Sequence, residues 1–566
     1  RNTSTYTSVQ DNFNIDWRII PALRLQGRFS YTRQFDRRDL FKSPESLDYS
    51  TETDPKKKGS YYLVNSRSDR FDGNLTLAYN KTIDKHMLNV GVGSNIMQSE
   101  TEGESFTGVG FINPDMIFIG AANAFQENTS PQGTYDKSRL VGFFTNVNYG
   151  YGNRYFLDFS FRSDGSSKFG RNSRFAPFWS LGVAWNVHNE SFWHAHEKNA
   201  LKLRASVGST GTTNFSSTQA LTTYLYDFSR EYNGNFGVSL AGYGNSSLKW
   251  QTTLSYNVGV DFTFLHGLVV FNGDFYIKNT RSLLLPVTVA PSTGFIDYVE
   301  NIGKLRNTGV EARLRFNLIQ DAVKDLRWNV TLSAFHNRSK ITQLSNQLET
   351  INQYANDDRA NQGTVVYRQF EAGRSQTALM VVRSGGIDPA TGNEIYIKRN
   401  GEMTFEYNHN DKIECGDMKP KIEGNVNTNL NWKGFNLYML FKYQYGGKIY
   451  NATLASKVEG VNPLKNADKR VLYDRWKEPG DHAKFRRIDD TSAPYQTTRL
   501  VFDNNLLALQ SVSLSYELPR KISQNMERVK LLLSSTDLFR LSSVKQERGT
   551  SYPFARTFSI GLNVTF

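Results

Sequence analysis

The chain has 566 residues, and its single cysteine, Cys415, excludes a disulfide framework and any cysteine-based zinc site. Aromatic residues make up 13% of it, yet no run of about 18 apolar residues occurs, which excludes an ordinary transmembrane helix. The net charge is +13, but basic residues alternate with acidic ones throughout, so nucleic-acid binding is not favoured.

Amphipathic strands are predicted from one end of the chain to the other. In 310–318, apolar residues at even positions alternate with Glu311, Arg313 and Arg315, and 154–162 alternates in the same way. Charge on the polar face indicates a wet interior and not a packed sandwich core. The predicted strands are 7–18, 22–35, 63–79, 85–98, 138–150, 154–163, 174–188, 201–209, 248–264, 268–280, 305–318, 326–337, 420–432, 435–446, 502–518, 527–538 and 556–566.

Short and long connections alternate between these strands. Tight turns are predicted near Ile20–Ala22, Asn80–Asp84, Gly150–Asn153, His266–Gly267, Ile319–Asp325, Lys433–Gly434 and Pro519–Met526, with 188–200 of intermediate length. Long loops are predicted at 36–60, 101–137, 163–173, 209–247, 281–303, 337–419, 446–500 and 539–555. This alternation is typical of bacterial outer-membrane barrels, which have tight periplasmic turns and long extracellular loops. The fold class is therefore predicted to be all-β, a transmembrane antiparallel β-barrel.

The count of about 17 strands is odd, whereas a bacterial barrel with both termini in the periplasm has an even number. An open sheet would also leave unpaired edges in lipid, so the chain is expected to be a fragment or to have a partner that closes the sheet. We therefore expect an odd number of strands ahead of Arg1, and the lack of a signal peptide at the start also indicates processing or truncation.

The last strand carries the sharpest local signal. In 556–566 one face is apolar, and the sequence ends on an aromatic residue. Such a strand resembles the signal that the outer-membrane assembly machinery reads. The predicted signal residues are Phe558, Ile560, Leu562, Val564 and Phe566.

Several strings with characteristic order and spacing occur along the chain. They include RSDGSSKFG at 162–170, RFAPFWSLGVAWNV at 174–187, LKLRASVGSTG at 201–211, LKWQTTLSYNVGVDFTFL at 248–265, NIGKLRNTGVEARL at 301–314, GIDPATGNEIY at 386–396, KGFNLYMLFKYQYGGKIYN at 433–451 and LLALQSVSLSYELP at 506–519. The terminal YPFARTFSIGLNVTF follows them. Taken together, in this order and spacing, these strings resemble the SusC/RagA family of TonB-dependent transporters from the Bacteroidetes, over essentially all 566 residues.

This resemblance implies a barrel of 22 strands, of which residues 1–566 form strands 6 to 22, with a plug domain, a TonB box and an N-terminal extension upstream. It also implies active import of oligosaccharides or peptides beneath a SusD-like surface lipoprotein, powered by the TonB complex, and allows a dimer of transporter–lid pairs. The alternatives are a TonB-dependent receptor for a metal chelate or vitamin, and a surface adhesin or passive channel.

Local patterns that could carry other chemistry have simpler interpretations. His194 and His196 have no third ligand nearby, and Gly208–Gly211 lacks the lysine of a phosphate loop. The Asp388-Pro389 and Thr391-Gly392 pairs could belong to a cation site, but these residue types favour a turn. Trp432, Phe435, Tyr443 and Tyr445, placed beside a short turn, are interpreted as interfacial girdle and lipid face. We expect no catalysis, metal or cofactor, and the sequence does not identify substrate-binding residues.

Overall fold

The computed structural model describes residues 2–127, 129, 131–170, 173–195, 198–213, 220–242, 244–288, 297–301, 303–344, 352, 369–464, 467–519, 526–545 and 556–565. Two compact units are formed. Unit 1 contains Arg1–Gly182, Gly208–Thr252 and Leu284–Asn301, and unit 2 contains Val183–Val207, Thr253–Leu283 and Ile302–Phe566.

Strands account for most of the described chain. Seventeen of them are called ladder strands below: β1 Asn2–Ile20, β2 Leu23–Lys42, β3 Ser60–Ile83, β4 His86–Val109, β6 Gln132–Tyr151, β7 Tyr155–Ser166, β8 Phe175–Asn186, β9 Ala200–Thr212, β12 Gln251–Phe264, β13 Val269–Arg281, β16 Lys304–Asp321, β17 Leu326–Gln343, β22 Ile422–Trp432, β23 Phe435–Tyr445, β26 Leu506–Glu517, β27 Arg528–Ser542 and β28 Thr557–Thr565. The shorter strands are β5 Ala124–Phe125, β10 Thr223–Tyr232, β11 Asn235–Gly242, β14 Leu284–Thr288, β15 Asp297–Asn301, β18 Ala378–Ile387, β19 Glu394–Ile397, β20 Met403–Thr404, β21 Lys412–Asp417, β24 Lys448–Tyr450 and β25 Val501–Asp503.

Helices in the described ranges are short. The α-helices are α1 Ala452–Leu454, which continues into a π turn at Ala455–Glu459, and α2 Arg470–Asp474. Single 3₁₀ turns occur at Leu47–Tyr49, Pro55–Lys57, Ile119–Ala121, Val187–Asn189, His409–Asp411 and Thr498–Leu500. Among the residues described, none of the helices has the length and apolar character needed to cross a membrane.

In unit 1, β1, β2, β3, β4, β6 and β7 pair successively in antiparallel fashion. The strands β2, β3, β4 and β6 have 20 to 24 residues, about twice the length that crosses a bilayer. Side chains alternate between an apolar and a polar face, as period-2 geometry requires. On β7, for example, Leu157 and Phe161 lie on the opposite face from Arg162 and Asp164.

In unit 2, β13, β16, β17, β22, β23, β26, β27 and β28 form a second antiparallel series. Its tight turns use left-handed backbone conformations. At the β22–β23 turn, Lys433 has φ 45° and Gly434 has φ 86°. Two successive residues with positive φ match the twist of a two-residue hairpin, so this turn fixes the register of the pair.

Each of the 17 predicted strands overlaps one ladder strand, but the predicted boundaries were wrong in places. Ladder strands β2, β4 and β6 extend far into the predicted loops because their outer ends alternate polar residues, which weakens the apolar signal. The predicted strand 502–518 is interrupted at Asn504 and Asn505, since β25 pairs with β24. The loops 209–247, 281–303, 337–419 and 446–500 also contain strands, formed by short pairings.

Candidate functional site

One polar cluster lies on the polar face of unit 2, where β9, β12 and β13 supply its side chains. The Arg204 Nε atom lies 2.8 Å from an Asp261 carboxylate oxygen, and its Nη2 atom lies 3.2 Å from Asp274. Asn272 donates to the other Asp261 oxygen at 2.8 Å. A Cβ at Gly259 would lie 2.5 Å from Asp274 and 2.8 Å from Arg204, so the arginine crosses β12 only because residue 259 is glycine.

Unit 1 has a cluster of the same design. Arg162 pairs with Asp164 at 2.6 Å and also donates to the Asn95 side-chain oxygen, across β7, β6 and β4. A Cβ at Gly142 would lie 2.5 Å from Arg162, so a glycine again provides the space. Both clusters place a fixed, hydrogen-bonded guanidinium on a polar strand face, which suits recognition of polar groups.

Aromatic residues from three of the sequence strings pack against one another in unit 1. The Phe169 ring stacks on Trp250 with centroids 4.6 Å apart, and Phe178 approaches Trp250 edge-on at 5.3 Å. All three rings are buried, and Trp250 also donates its indole N–H to the Arg174 carbonyl at 3.0 Å. The strings at 162–170, 174–187 and 248–265 therefore share one aromatic core, which anchors the connection after β7.

A second region, called the loop subdomain, comprises residues 369–417 and 448–503 of unit 2. Its sheet has the order β20, β19, β18, β21, and residues Leu379 to Val382 at its centre are almost fully buried. A hydrophobic cluster forms beneath α1 and β25 from Tyr450, Ala455, Val458, Phe485 and Leu500. The subdomain thus has its own core, unlike a mobile loop.

Charged groups are buried beside that core. Arg499 contacts the Glu394 carboxylate at 2.9 Å and the Glu459 carboxylate at 2.7 Å, and both glutamate side chains are inaccessible to solvent. Arg486 also contacts Glu459 at 3.0 Å, and Thr497 donates to Glu394 at 2.6 Å. Burial opposes the charge of Arg499, but the two carboxylates outweigh it and raise the pKa of its guanidinium. This network connects β19, the π turn and the segment 485–499.

Arg475 is a further buried cation, held mainly by backbone carbonyls. It donates to the carbonyls of Val461, Arg486, Arg487 and Asp490. Burial lowers the pKa of Arg475 from its ordinary value. One side chain thus binds four backbone carbonyls, and Arg475 stabilises the packing of these residues within the loop subdomain.

Aromatic side chains converge at one side of the same subdomain. The Tyr407 and Tyr495 rings stack with centroids 4.1 Å apart, and Tyr396 meets Tyr407 edge-on at 5.4 Å. Burial is the largest influence on Tyr396 and raises the pKa of its hydroxyl. The cluster thus packs one buried tyrosine, Tyr396, against two half-buried ones.

Comparison with known proteins gives the family. Residues 1–386 match the family model described as TonB dependent receptor-like, beta-barrel. The chain belongs to this family.

Relatives and solved structures agree with the assignment. TonB-dependent receptor P3 from Formosa agariphila is 25% identical over all of this chain and 58% of its own length. TonB-dependent receptor SusC from Bacteroides thetaiotaomicron is 27% identical over 57% of this chain and 32% of its own length. The structure of the RagAB peptide transporter superposes with a TM-score of 0.86 at 22% identity, covering 100% of this chain and 62% of that one. The chain thus spans less than two thirds of these relatives.

The predicted family resemblance and β-barrel fold class are therefore confirmed. The TonB-dependent receptor β-barrel family is an outer-membrane family of transporters and receptors without enzymatic activity.

The predicted assembly signal lies on β28. Phe558, Ile560 and Leu562 are 66%, 86% and 61% exposed, Val564 is half-buried, and Phe566 lies outside the described residues. Leu562 pairs with Leu531 and Ile560 with Leu533 on β27, so the strand forms as predicted. Its role as a signal stays a prediction.

The other singled-out residues have structural surroundings. Asp388 accepts hydrogen bonds from Thr391 Oγ1 at 2.6 Å and from two backbone N–H groups, which holds the pKa of its carboxyl below the usual range and confirms the turn. His194 contacts the Phe192 carbonyl at 2.8 Å, while His196 lies outside the described residues.

The four aromatic residues interpreted as girdle and lipid face were all placed beside the β22–β23 turn, and this position was wrong for two of them. Trp432 and Phe435 flank the turn, whereas Tyr443 and Tyr445 lie at the far end of β23. An eleven-residue strand separates its ends by its whole length, so the four residues do not lie at one level, and their assignment to girdle or lipid face stays a prediction.

Sequence reasoning missed Arg204, Arg499 and the tyrosine cluster. Arg204 was visible only as one member of a polar face, because its partners lie 57 and 70 residues away in the chain. Glu394 lies within the string 386–396, but its partner Arg499 lies in the predicted long loop 446–500.

Proposed function

We propose that the complete protein imports oligosaccharides or peptides across the bacterial outer membrane as a multi-pass β-barrel. The observation that carries the proposal is the family itself, in which SusC and the RagAB peptide transporter are among the similar proteins. Residues 1–566 would then be the C-terminal part of the barrel. The plug domain, TonB box and N-terminal extension would belong to the remaining part of the protein.

The polar faces give this proposal its chemistry. Arg204 and Arg162 are each fixed by carboxylate and amide partners, so their donors hold defined positions on faces that an importer would turn toward its lumen. A barrel of 22 strands is too wide for its own side chains to fill, so selective import requires a plug. Polar fixed donors would contact either the plug or hydroxyl and amide groups of a passing solute.

The loop subdomain would supply the extracellular surface. The subdomain is formed by the connection before β22 and the connection after β23, and its own core and buried charge network stabilise it as a platform. A SusD-like lipoprotein would close over such a platform as a lid, and the half-buried Tyr407 and Tyr495 are candidates for contact with the substrate. Two transporter–lid pairs would associate as a dimer, and the TonB complex would supply the energy for plug displacement.

Uptake by a strain that carries the complete protein tests the proposal. We expect accumulation of an oligosaccharide or a peptide library, complete loss of it when the TonB box is deleted, and copurification of a surface lipoprotein. A variant with a scrambled segment of equal length next to the TonB box serves as the control. Uptake that persists without the TonB box would contradict active transport, and uptake of a metal chelate or vitamin alone would contradict the substrate class.

A further inference from the structure

A row of four charged residues crosses four neighbouring strands of unit 1. Arg33 on β2 pairs in register with Asp69 on β3, which pairs with Glu100 on β4, which pairs with Lys137 on β6. Directly opposed residues lie on the same face of a sheet. The four side chains therefore form one continuous band, called the charged row below.

The charged row lies on the apolar face of these strands and not on the polar face. Four residues closer to the tight turns on each strand, the same face presents Phe29, Gly73, Ile96 and Val141, again in register. Below them the face continues with Leu75 and Phe143. In a transmembrane barrel the apolar face contacts lipid, so the charged row borders the lipid-facing belt.

The row lies at the end of the strands that is remote from the tight turn. β3 and β4 are joined at Asp84 and Lys85, whereas the charged row lies toward the long connections 43–59 and 110–131. Long connections of outer-membrane barrels are extracellular. The charged row therefore faces the headgroups of the outer leaflet, where the extra length of these strands emerges.

Two carboxylates of this patch, Asp69 and Glu100, are less exposed than the cations that contact them, whereas Glu102 is exposed at 53%. Arg33 contacts Asp69 at 2.6 Å, and the exposed fractions of the two side chains are 43% and 18%. Arg67 bridges Asp69 at 3.1 Å and Glu102 at 3.2 Å. Lys137 contacts Glu100 at 2.7 Å. The acids thus position the basic groups without hiding them.

Two further features favour an interfacial partner. Arg139 donates to the neutral side chain of Gln98 at 2.8 Å, so its charge is not compensated by that contact. The Tyr31 hydroxyl donates to Asp69 at 2.7 Å, and the Tyr135 hydroxyl donates to Glu100 at 2.9 Å. Tyrosine rings with anchored hydroxyls are typical of the membrane–water interface.

We propose that the charged row and its neighbours Arg67 and Arg139 bind phosphate groups of outer-leaflet lipid headgroups. Guanidinium groups match phosphate oxygens with paired N–H donors, and prepositioned side chains lose little freedom on binding. A lipid is favoured over a protein because the patch is continuous with the lipid-facing apolar belt. The inference requires the outer-membrane location but not the proposed substrate.

The test uses the complete transporter in detergent and lipid A as the probe, counted by native mass spectrometry. The variant Arg33→Gln/Arg67→Gln/Lys137→Gln removes three cations from the patch. The matched control, Arg24→Gln/Arg28→Gln/Arg70→Gln, removes three cations from the opposite face of β2 and β3. We expect at least about tenfold weaker retention of lipid A in the first variant and parental retention in the control.

Two further arms separate charge from folding and phosphate from acyl chains. Arg33→Lys/Arg67→Lys/Lys137→Arg keeps the charges and should retain lipid A at close to the parental level. Lipid A without phosphate should bind the parent and the first variant equally. Parental retention of phosphorylated lipid A by the first variant would overturn the proposal. A first variant that retains lipid A but no longer copurifies with the surface lipoprotein would overturn it as well. Failure of uptake alone would concern the proposed function and not this surface.

Discussion

The ladder strands and the loop subdomain are stabilised in different ways. On the ladder strands large apolar side chains remain exposed, such as Ile560 at 86% and Phe558 at 66%, because lipid is their apolar environment. In the loop subdomain Val381, Val458 and Leu500 are buried in a core of the kind found in soluble domains. Equal substitutions should therefore have unequal effects in the two regions.

The largest effect is expected at the buried charge network. Arg499→Met leaves Glu394 and Glu459 in a solvent-inaccessible site without their shared counter-charge. Loss of one partner of a buried ion pair destabilises by about 3–5 kcal/mol, so the loop subdomain should open locally while the ladder strands remain paired. Hydrogen exchange at 394–397 and 498–503 of the complete transporter measures the change.

The control for this prediction is Arg487→Met. Arg487 pairs with Asp489 in an exposed bridge, with side chains 44% and 62% accessible. Exposed pairs contribute about 0–1 kcal/mol, so protection in the same segments should hardly change. Equal loss of protection in both variants would show that the buried network is not what distinguishes the subdomain.

The second effect compares one leucine in each region. Leu500 is 1% exposed within the loop-subdomain core, whereas Leu562 on β28 is 61% exposed. We expect Leu500→Ala to destabilise the subdomain by about 2–5 kcal/mol, and Leu562→Ala to cost only about 1–2 kcal/mol in detergent, because it loses apolar contact without leaving a cavity. Pulse proteolysis in denaturant measures both, and a comparable loss at the two positions would contradict the division between the regions.

The two regions also differ in how far the sequence predicts them. The ladder strands were predictable because period 2 is a local property, visible at Glu311, Arg313 and Arg315 without knowledge of their partners. The loop subdomain was not, since its short strands pair over long separations and its key contacts join Glu394 to Arg499, 105 residues apart. Arg204 was missed for the same reason, because its partners Asp261 and Asp274 lie 57 and 70 residues away in the chain.

A smaller effect is expected where a glycine makes room for the polar cluster of unit 2. In Gly259→Ala the added methyl group would lie 2.5 Å from Asp274 and 2.8 Å from Arg204, so the guanidinium must move. Overpacking of this kind costs about 1–3 kcal/mol. Gly91→Ala on β4 is the control, because its nearest neighbour would lie 3.9 Å away.

Thermal unfolding of the complete transporter in detergent distinguishes these two variants. A lower midpoint for Gly259→Ala than for Gly91→Ala is expected, with the difference absent when Arg204→Met and Asp274→Ala are both present in the two backgrounds. A difference that survives these changes would mean that backbone conformation, and not the arginine and its partner, requires glycine at position 259.

The smallest expected effect is a pH dependence confined to the loop subdomain. Lys412 is only 3% exposed, and burial lowers the pKa of its ammonium group from 10.5 to about 8. Below about pH 8 the lysine is charged in both states, and the cost of burying that charge is present in full. As the pH rises from about 8 toward 10.5, the unfolded chain keeps the proton that the folded subdomain has released, so stability increases with pH.

In Lys412→Met this increase should disappear, while Lys398→Met, which removes an exposed lysine of the same subdomain, should retain it. The denaturant midpoints of the three proteins at about pH 7 and about pH 9.5 decide the matter, because linkage predicts a rise for the parent and for Lys398→Met alone. An equal rise in Lys412→Met would assign the pH dependence to another group and leave the buried lysine without a role in it.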